Sequence, residues 1–507
     1  MSDLLTREQY ASLFADLRLP VDAHINGEFA AAKSGMRFET VDPATGEVLA
    51  RIAACDSEDV DHAVEKGREA FAAGTWSRAH PSERKTAMIK LANLIERDRH
   101  ELAVLESRES GKPIRDVATI DIPETIACLT WYAEACDKLY DQVAPAGNDA
   151  LGIIVREPVG VVACVLPWNF PLLMMAWKLG PALAAGNSVI VKPAEQTSMT
   201  ALRVAELAVE AGIPVGVLHV VTGLGPAAGK AIGLHDGIGM VSFTGSTEVG
   251  RLFLKYAADS NLKRVVLECG GKNPAVVLSS AGDLDHVAEQ VVTAVFWNMG
   301  ENCTSNSRLI VHESLKDDLL ERVLDKVRSW RIGDPLEPAN NLGAMVSQEQ
   351  FDVVMGYIAK GKDAGAECVL GGEALEGDGL FIPPTIFDGV TPQMTIAREE
   401  IFGPVLAVMT ASTDAEAIEM ANDTNYGLQA SVFSDNVKHA LRAAREIRAG
   451  TVTVNCYGEG DITTPFGGYK ESGFGGRDNG LAAFEQYTET KTIWVDLGEP
   501  DVDVGCD

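Results

Sequence analysis

No uninterrupted apolar run in the 507 residues reaches the roughly 20 needed to cross a bilayer. The stretch Met1-Ser2-Asp3-Leu4-Leu5-Thr6-Arg7-Glu8 lacks the basic region and apolar stretch of a secretory signal. Basic residues are scarce: 43 Lys and Arg stand against 73 Asp and Glu, for a formal charge of -30. That balance argues against nucleic acid or an anionic membrane as the partner. Paired cysteines are missing too. The nine cysteines (55, 128, 136, 164, 269, 303, 368, 456 and 506) are odd in number, unclustered and without CxxC or Cys/His spacing. This fits neither a disulfide framework nor a zinc site, and points to a reducing, cytosolic setting with most thiols buried as small hydrophobes. No short-period repeat or low-complexity linker interrupts the chain.

What is present exceeds the size at which one hydrophobic core keeps growing, so two or more domains are expected. After His80-Pro81, Ser82 can cap a helix carrying Met88, Leu91, Leu94 and Ile95, ending near Gly111-Lys112-Pro113. A second helical stretch holds Ile126, Leu129, Trp131 and Tyr132, before a more extended segment over 149–155. From residue 160, short β-branched runs alternate with helices: 161–165, 188–191, 217–221 and 240–243. Such runs predict parallel strands buried on both faces, hence a doubly wound α/β sheet with ligands beyond the strands' carboxyl ends. A second alternation, starting at 275–278, predicts another α/β domain.

Three segments suggest chemistry. Phe243-Thr244-Gly245-Ser246-Thr247-Glu248-Val249-Gly250 follows a strand and opens a helix, where backbone N–H groups and the helix dipole favour a phosphate. A tight strand-to-helix turn explains its two glycines equally well. Val191-Lys192-Pro193-Ala194-Glu195 places Lys192 and Glu195 within reach of ribose hydroxyls, and the acid would repel a 2′-phosphate, favouring NAD over NADP; a surface lysine and a first-turn glutamate remain the alternative. In Pro167-Trp168-Asn169-Phe170-Pro171, Asn169 is either a turn residue or a donor to an oxyanion.

Taken with Glu268-Cys269-Gly270-Gly271-Lys272, Gly300-Glu301-Asn302-Cys303, Glu399-Glu400-Ile401-Phe402-Gly403-Pro404 and Pro465-Phe466-Gly467-Gly468-Tyr469-Lys470, these segments resemble the aldehyde dehydrogenase superfamily, in order and over nearly the whole chain. The resemblance implies residues 1–139 and 160–270 as the NAD-binding domain and 271–480 as the catalytic domain. Segments 140–159 and 484–499 would form a small β arm joining the subunits of a homodimer or homotetramer. It implies Cys303 as nucleophile, Asn169 and the Cys303 amide as oxyanion donors, and Glu268 as the base that activates water and helps deprotonate the thiol. Trp168, Lys192, Glu195, Gly225, Gly229, Phe243, Gly245, Ser246, Glu400 and Phe402 would hold NAD, with NADP possible. The thioester route needs no metal.

The chain departs from the family pattern in places. Glu301 stands where glutamine is frequent, and Cys269 replaces leucine. The run Ser472-Gly473-Phe474-Gly475-Gly476-Arg477-Asp478 is one residue longer than usual and ends in Asp, which leaves open whether that acid meets Lys178. Trp131-Tyr132-Ala133-Glu134, the run from Val155 to Gly160, Gly460-Asp461 and Thr490-Lys491-Thr492-Ile493-Trp494 are most similar to γ-glutamyl-γ-aminobutyraldehyde and ω-aminoaldehyde dehydrogenases. Phe170, Met174 and Trp177 would line an apolar tunnel, with Asp121, Glu124, Glu459 and Asp461 at its mouth to attract a distal ammonium. Simple surface acids are the alternative. A CoA-acylating enzyme and a catalytically silent structural protein on the same fold are the competing functions; the presence of Glu268 and of an intact residue set speaks against each in turn. The acidic segment 501–507 is expected to be mobile.

Overall fold

The computed structural model describes residues 4–498, so the acidic segment 501–507 and position 499 of the expected arm lie outside the described residues. Strands form where β-branched apolar residues are continuous. Val161–Val165 and Ser188–Lys192 are buried at every position, as strands covered on both faces must be. They sit inside an eight-stranded sheet ordered Gly473–Phe474, Arg264–Cys269, Met240–Gly245, Val161–Val165, Ser188–Lys192, Leu218–Val220, Ala23–Ile25, Glu28–Ala30. The five strands from Arg264–Cys269 to Leu218–Val220 are parallel, and the edge strands are antiparallel. Alternation along the strands divides the core: Val162, Cys164, Val189 and Val191 pack on one face, Val161, Ala163, Val165 and Ile190 on the other.

The second sheet has seven strands, ordered Glu367–Leu370, Thr385–Asp388, Val405–Ala411, Arg308–His312, Pro274–Val277, Gln429–Phe433, Thr451–Val454. All but the Glu367–Leu370 edge pair in parallel. Strand Arg264–Cys269 ends the parallel part of the first sheet and, four residues on, Pro274–Val277 begins the middle of the second. Glu268 and Cys269 therefore lie at the junction of the two sheets. The chain also crosses back late, because Gly473–Phe474 pairs with Leu267 and Glu268 in the first sheet.

A third sheet joins Thr488–Asp496 to Ala150–Pro158 in unbroken antiparallel register, with Gln142–Ala144 outside. Ile493 and Trp494 are exposed on it, an apolar edge of the kind that invites association. The helix expected from Ser82 begins one residue earlier, at Pro81, and His80 caps it by accepting from Ser82 N. Proline fits the first helical position because its missing N–H would be unpaired there anyway. The helical stretch is also two helices, Pro81–Arg97 and Arg99–Ser110, broken at Asp98 and closed by left-handed Gly111. Met88, Leu91, Leu94 and Ile95 are all buried. Among the described residues no helix is long and apolar enough to cross a membrane.

Candidate active site

Cys303 stands between the short 3-10 turn Trp297–Gly300 and strand Arg308–His312. The backbone leading to it is strained: Asn298 (φ 54°), Met299 (φ 56°) and Gly300 (φ 70°) are successively left-handed. A Cβ on Gly300 would lie 2.2 Å from the Gly403 carbonyl oxygen, and Phe402 is itself left-handed at φ 56°. Gly300 thus allows the loop of Cys303 to press against the loop of Glu400 and Phe402. The turn is then fixed by hydrogen bonds. Asn273 Nδ2 donates to the carbonyls of Cys303 (2.7 Å) and Ser305 (3.1 Å), while its Oδ1 accepts from Gln429 N at 3.0 Å.

Asn169 lies just before helix Pro171–Ala185, past the end of strand Val161–Val165. Its Nδ2 donates to the Glu301 carbonyl at 2.9 Å, which sets the amide beside the Cys303 loop and leaves its second N–H for another acceptor. Glu268, one residue from the end of its strand, is 4% exposed. Burial, then Asp478, pushes its carboxyl well above the usual carboxylate range, against the pull of Lys178, Arg477 and the Gly468 amide. Burial, then Glu459, Glu400 and Glu268, likewise pushes the Cys303 thiol up. A nucleophile of this kind requires a base, and a base poised high suits work near neutrality.

One cavity of ≈ 620 Å³ joins these groups. Cys303 and Glu268 line it together with Phe170, Met174 and Trp177, and with Glu124, Glu459 and Asp461. Asp121 is the exception. It is fully buried at the end of a π-helical turn, Val117–Asp121, with Oδ2 2.6 Å from the buried Lys112 Nζ, so its charge is already paired and does not face the cavity. Sequence spacing alone could not show this, because the π turn that ends at Asp121 interrupts the regular helical period. Glu124, on the cavity wall, is pushed up to about 7 by burial there and by Glu459 and Asp121.

The residues expected to hold a dinucleotide fit one. Lys192 Nζ donates to the Pro193 carbonyl at 2.9 Å and stands 3.5 Å from Glu195 Oε2, so the pair already shares one corner. Glu195 lines a further cavity of ≈ 430 Å³ with Gln196, Leu224 and Gln348. No atom stands within 4 Å of a Cβ built on Gly225, and one on Gly229 would meet the Lys192 stem at 3.8 Å, an open cradle beside that corner. Ser246 caps helix Thr247–Ala258 by accepting from Val249 N at 3.2 Å. Phe243 is buried against Phe253, and a Cβ on Gly245 would meet its ring at 2.5 Å, so Phe243 supports the turn from below. Glu400 Oε1 accepts from Gly271 N at 2.9 Å, and burial raises its carboxyl to about 7. Trp168 packs edge-on against Phe402, ring centres 5.2 Å apart.

Two groups were not anticipated, and one contact that the sequence left open is present. Tyr457 lines the cavity and binds Asn302 Nδ2 at 2.7 Å; its only sequence signal was the pair of polar residues flanking Cys303. Lys112 Nζ sits 3.9 Å above the Phe170 ring, which tilts against Trp297; the preceding Gly111 made it look like a helix terminus alone. Lys178 Nζ binds Asp478 Oδ2 (3.1 Å) and Ser242 Oγ (3.0 Å), so the longer run before Asp478 is absorbed without losing that contact.

Glu301 shows why an acid can replace glutamine. It is 1% exposed, its Oε1 accepts from Val346 N at 3.0 Å, and burial holds its carboxyl well above the ordinary value of 4.5. A neutral acid there is close to a glutamine in shape and in hydrogen bonding. Folding then carries a proton that the unfolded chain releases above about pH 4.5, so stability falls by about 1.4 kcal/mol per pH unit from that point until the raised folded value is reached. Glu301→Gln removes this dependence. Its melting temperature should match the parent near pH 5 and exceed it by a margin that widens towards pH 8; a constant or shrinking margin in differential scanning fluorimetry would refute the neutral-acid assignment.

Comparison with known proteins agrees with this geometry. The model of the aldehyde dehydrogenase family matches residues 29–493. Aminoacetaldehyde dehydrogenase of Pseudomonas aeruginosa is 59% identical over 98% of this chain and 100% of its own length. The NADP/NAD-dependent aldehyde dehydrogenase PuuC of Escherichia coli is 47% identical over 93% of this chain and 95% of its own. Among solved structures, an indole-3-acetaldehyde dehydrogenase of P. syringae in complex with NAD+ and IAA superposes with a TM-score of 0.96 at 49% identity, covering 97% of this chain and 100% of the other. A γ-glutamyl-γ-aminobutyraldehyde dehydrogenase of Burkholderia cenocepacia does so at 0.95 and 47%, with coverage of 97% and 100%. With its two α/β sheets, its β arm and its thiol and carboxyl on one cavity, the chain belongs to the aldehyde dehydrogenase family.

Proposed function

We propose that this enzyme oxidises an ω-aminoaldehyde, or its γ-glutamyl amide, to the carboxylic acid with NAD, NADP being tolerated. One observation carries the reading: a single cavity has the Cys303 thiol and Glu268 inside, Phe170, Met174 and Trp177 along its wall, and Glu124, Glu459 and Asp461 lining it as well. An apolar methylene chain with a distal ammonium matches that lining. The names of the aminoacetaldehyde and γ-glutamyl-γ-aminobutyraldehyde relatives support the same substrate class.

Glu268 removes the Cys303 thiol proton, and the thiolate attacks the aldehyde carbon, giving a thiohemiacetal whose oxyanion is met by Asn169 and the Cys303 amide. Bound NAD supplies the acceptor for the hydride that leaves as the carbonyl re-forms into a thioester. Lys192, Glu195 and Ser246 would hold the adenosine ribose and diphosphate, and Glu400 and Phe402 would hold the nicotinamide riboside. Once Glu268 has passed the thiol proton to solvent, it takes a proton from water, the water adds to the thioester, and Cys303 leaves as thiolate. A cytosolic homo-oligomer, joined through the exposed strand of Ile493 and Trp494, accompanies this reading.

A substrate panel tests it. We expect kcat/KM for 3-aminopropanal or 4-aminobutanal to exceed that of equally long uncharged aldehydes by about tenfold or more, with NAD better than NADP, since an ion pair in a partly dry site is worth at least about 1.4 kcal/mol. Equal values for charged and uncharged aldehydes would sink the substrate assignment.

A further inference from the structure

Both neighbours of Cys303 are tied to the segment of Tyr457 and Glu459. Asn302 Nδ2 is 2.7 Å from Tyr457 Oη, Tyr457 Oη is 3.0 Å from Thr304 Oγ1, and Thr304 Oγ1 is 2.8 Å from Glu459 Oε1. Donor capacity limits the direction of this chain. The Asn302 amide must donate to Tyr457, the Tyr457 and Thr304 hydroxyls share a bond in which either can donate, and the single Thr304 proton can go to Glu459 or to Asn302 Oδ1 at 3.0 Å. Asn302 Oδ1 does not need that proton, since it accepts from Thr304 N at 3.1 Å. With its proton on Glu459, Thr304 accepts from Tyr457, and the chain ends on a Glu459 carboxyl oxygen.

Glu459 is half-buried, lines the same cavity as Cys303, and has no salt-bridge partner among the described residues. Burial, and then Asp121, raises the Glu459 carboxyl against the lowering effect of the Thr304 hydroxyl, and Glu124 lies close enough to feel its charge. The charges facing Cys303 are Glu459, Glu400 and Glu268, all acids, with Glu459 foremost. An acid placed one residue from the nucleophile opposes the anion that catalysis needs. A site built this way makes sense if the opposing charge is offset when substrate arrives.

We propose that Glu459 couples binding of the substrate's ammonium group to ionisation of the Cys303 thiol, so that a cationic aldehyde activates its own nucleophile. The ammonium pairs with the Glu459 carboxylate, the negative field at Cys303 drops, and the thiol proton passes more readily to Glu268. No bond other than S–H is broken, and nothing is oxidised or reduced in the step. The inference rests on the aminoaldehyde reading, and it adds that the ammonium raises reactivity as well as affinity.

The test is the pH dependence of Cys303 alkylation by iodoacetamide in the NAD-bound enzyme, followed by mass spectrometry of the Cys303 peptide. It is run alone, with saturating n-propylammonium, and with saturating 1-butanol. Each ligand's binding is measured first, as competitive inhibition of aldehyde oxidation. A bound ligand that shields the thiol lowers the plateau of the alkylation rate but not its midpoint, so the midpoint reports ionisation. We expect n-propylammonium to lower the midpoint by about one pH unit or more, and 1-butanol to leave it in place. In Glu459→Gln the midpoint should start low and respond to neither. An ammonium that binds well yet leaves the wild-type midpoint unmoved would overturn the coupling while the aminoaldehyde reading stood. An ammonium that binds no better than the alcohol would overturn both. The wild-type comparison decides the matter even if the Glu459 variant fails to fold.

Discussion

Cys303→Ala is expected to reduce aldehyde oxidation by a factor on the order of 10⁵ or more, the scale seen when a covalent nucleophile is removed from its site. The loss should fall on kcat and not on stability. Cys303 is only partly buried against the cavity wall, so truncating its sulfur leaves no large void. NAD binding should persist, since Lys192, Glu195, Ser246 and Glu400 lie on other segments. The variant's melting temperature and its quenching of protein fluorescence by NAD therefore serve as controls. Retained oxidation in a variant that passes both would show that another group carries the chemistry. The other described cysteines offer no good substitute: Cys128 and Cys269 line the cavity but are buried, at 1% and 4% exposed, whereas Cys303 is only partly buried.

Glu268→Gln is the second large effect, and its character differs. The glutamine preserves the shape of a 4% exposed side chain but cannot take a proton from water. Steady-state turnover should fall by about 10²- to 10⁴-fold, the usual value of a positioned general base. The first turnover should suffer less, because solvent can also take the thiol proton, whereas hydrolysis of the thioester needs a base positioned on the attacking water. Rapid mixing should reveal a burst of reduced cofactor close to one per site, followed by slow release. The pH profile supplies an independent check. In the parent, activity should rise with pH as Glu268 loses its proton, and because burial and Asp478 hold that proton, the rise should lie well above the ordinary glutamate range. In Glu268→Gln this limb should disappear. A variant whose first turnover is as slow as the later ones would show that Glu268 is indispensable for thiol deprotonation and not chiefly for hydrolysis.

Much of this architecture was legible in the chain, for a physical reason. Strands such as Val161–Val165 are buried on both faces, so their whole sequence is apolar and rich in β-branched valine, and the expected bounds match the observed ones there. The reacting groups were legible because Cys303, Glu268 and Asn169 each sit in a short segment whose neighbours serve the same site. Gly300 admits the Gly403 carbonyl and Gly271 feeds its amide to Glu400. What failed was long-range or depended on helix irregularity. Asp121 reads as a companion of Glu124 at helical spacing, yet the π turn and the buried Lys112 take it out of the cavity. Tyr457 and Lys112 act on the site from segments whose own sequence carries no chemical pattern. Lys178 and Asp478 lie far apart in sequence, and only the fold could close a contact between them at 3.1 Å.

The central claim is a thioester on Cys303 that Glu268 hydrolyses, and chemical quenching of Glu268→Gln tests it most directly. The variant is mixed with NAD and an aminoaldehyde, quenched in acid after the burst, and digested, and the cysteine peptides are weighed. The account predicts an acyl group on the Cys303 peptide in near-stoichiometric yield, removed by hydroxylamine. An unmodified Cys303 after a full burst, or an acyl group on Cys128 or Cys269, would contradict it.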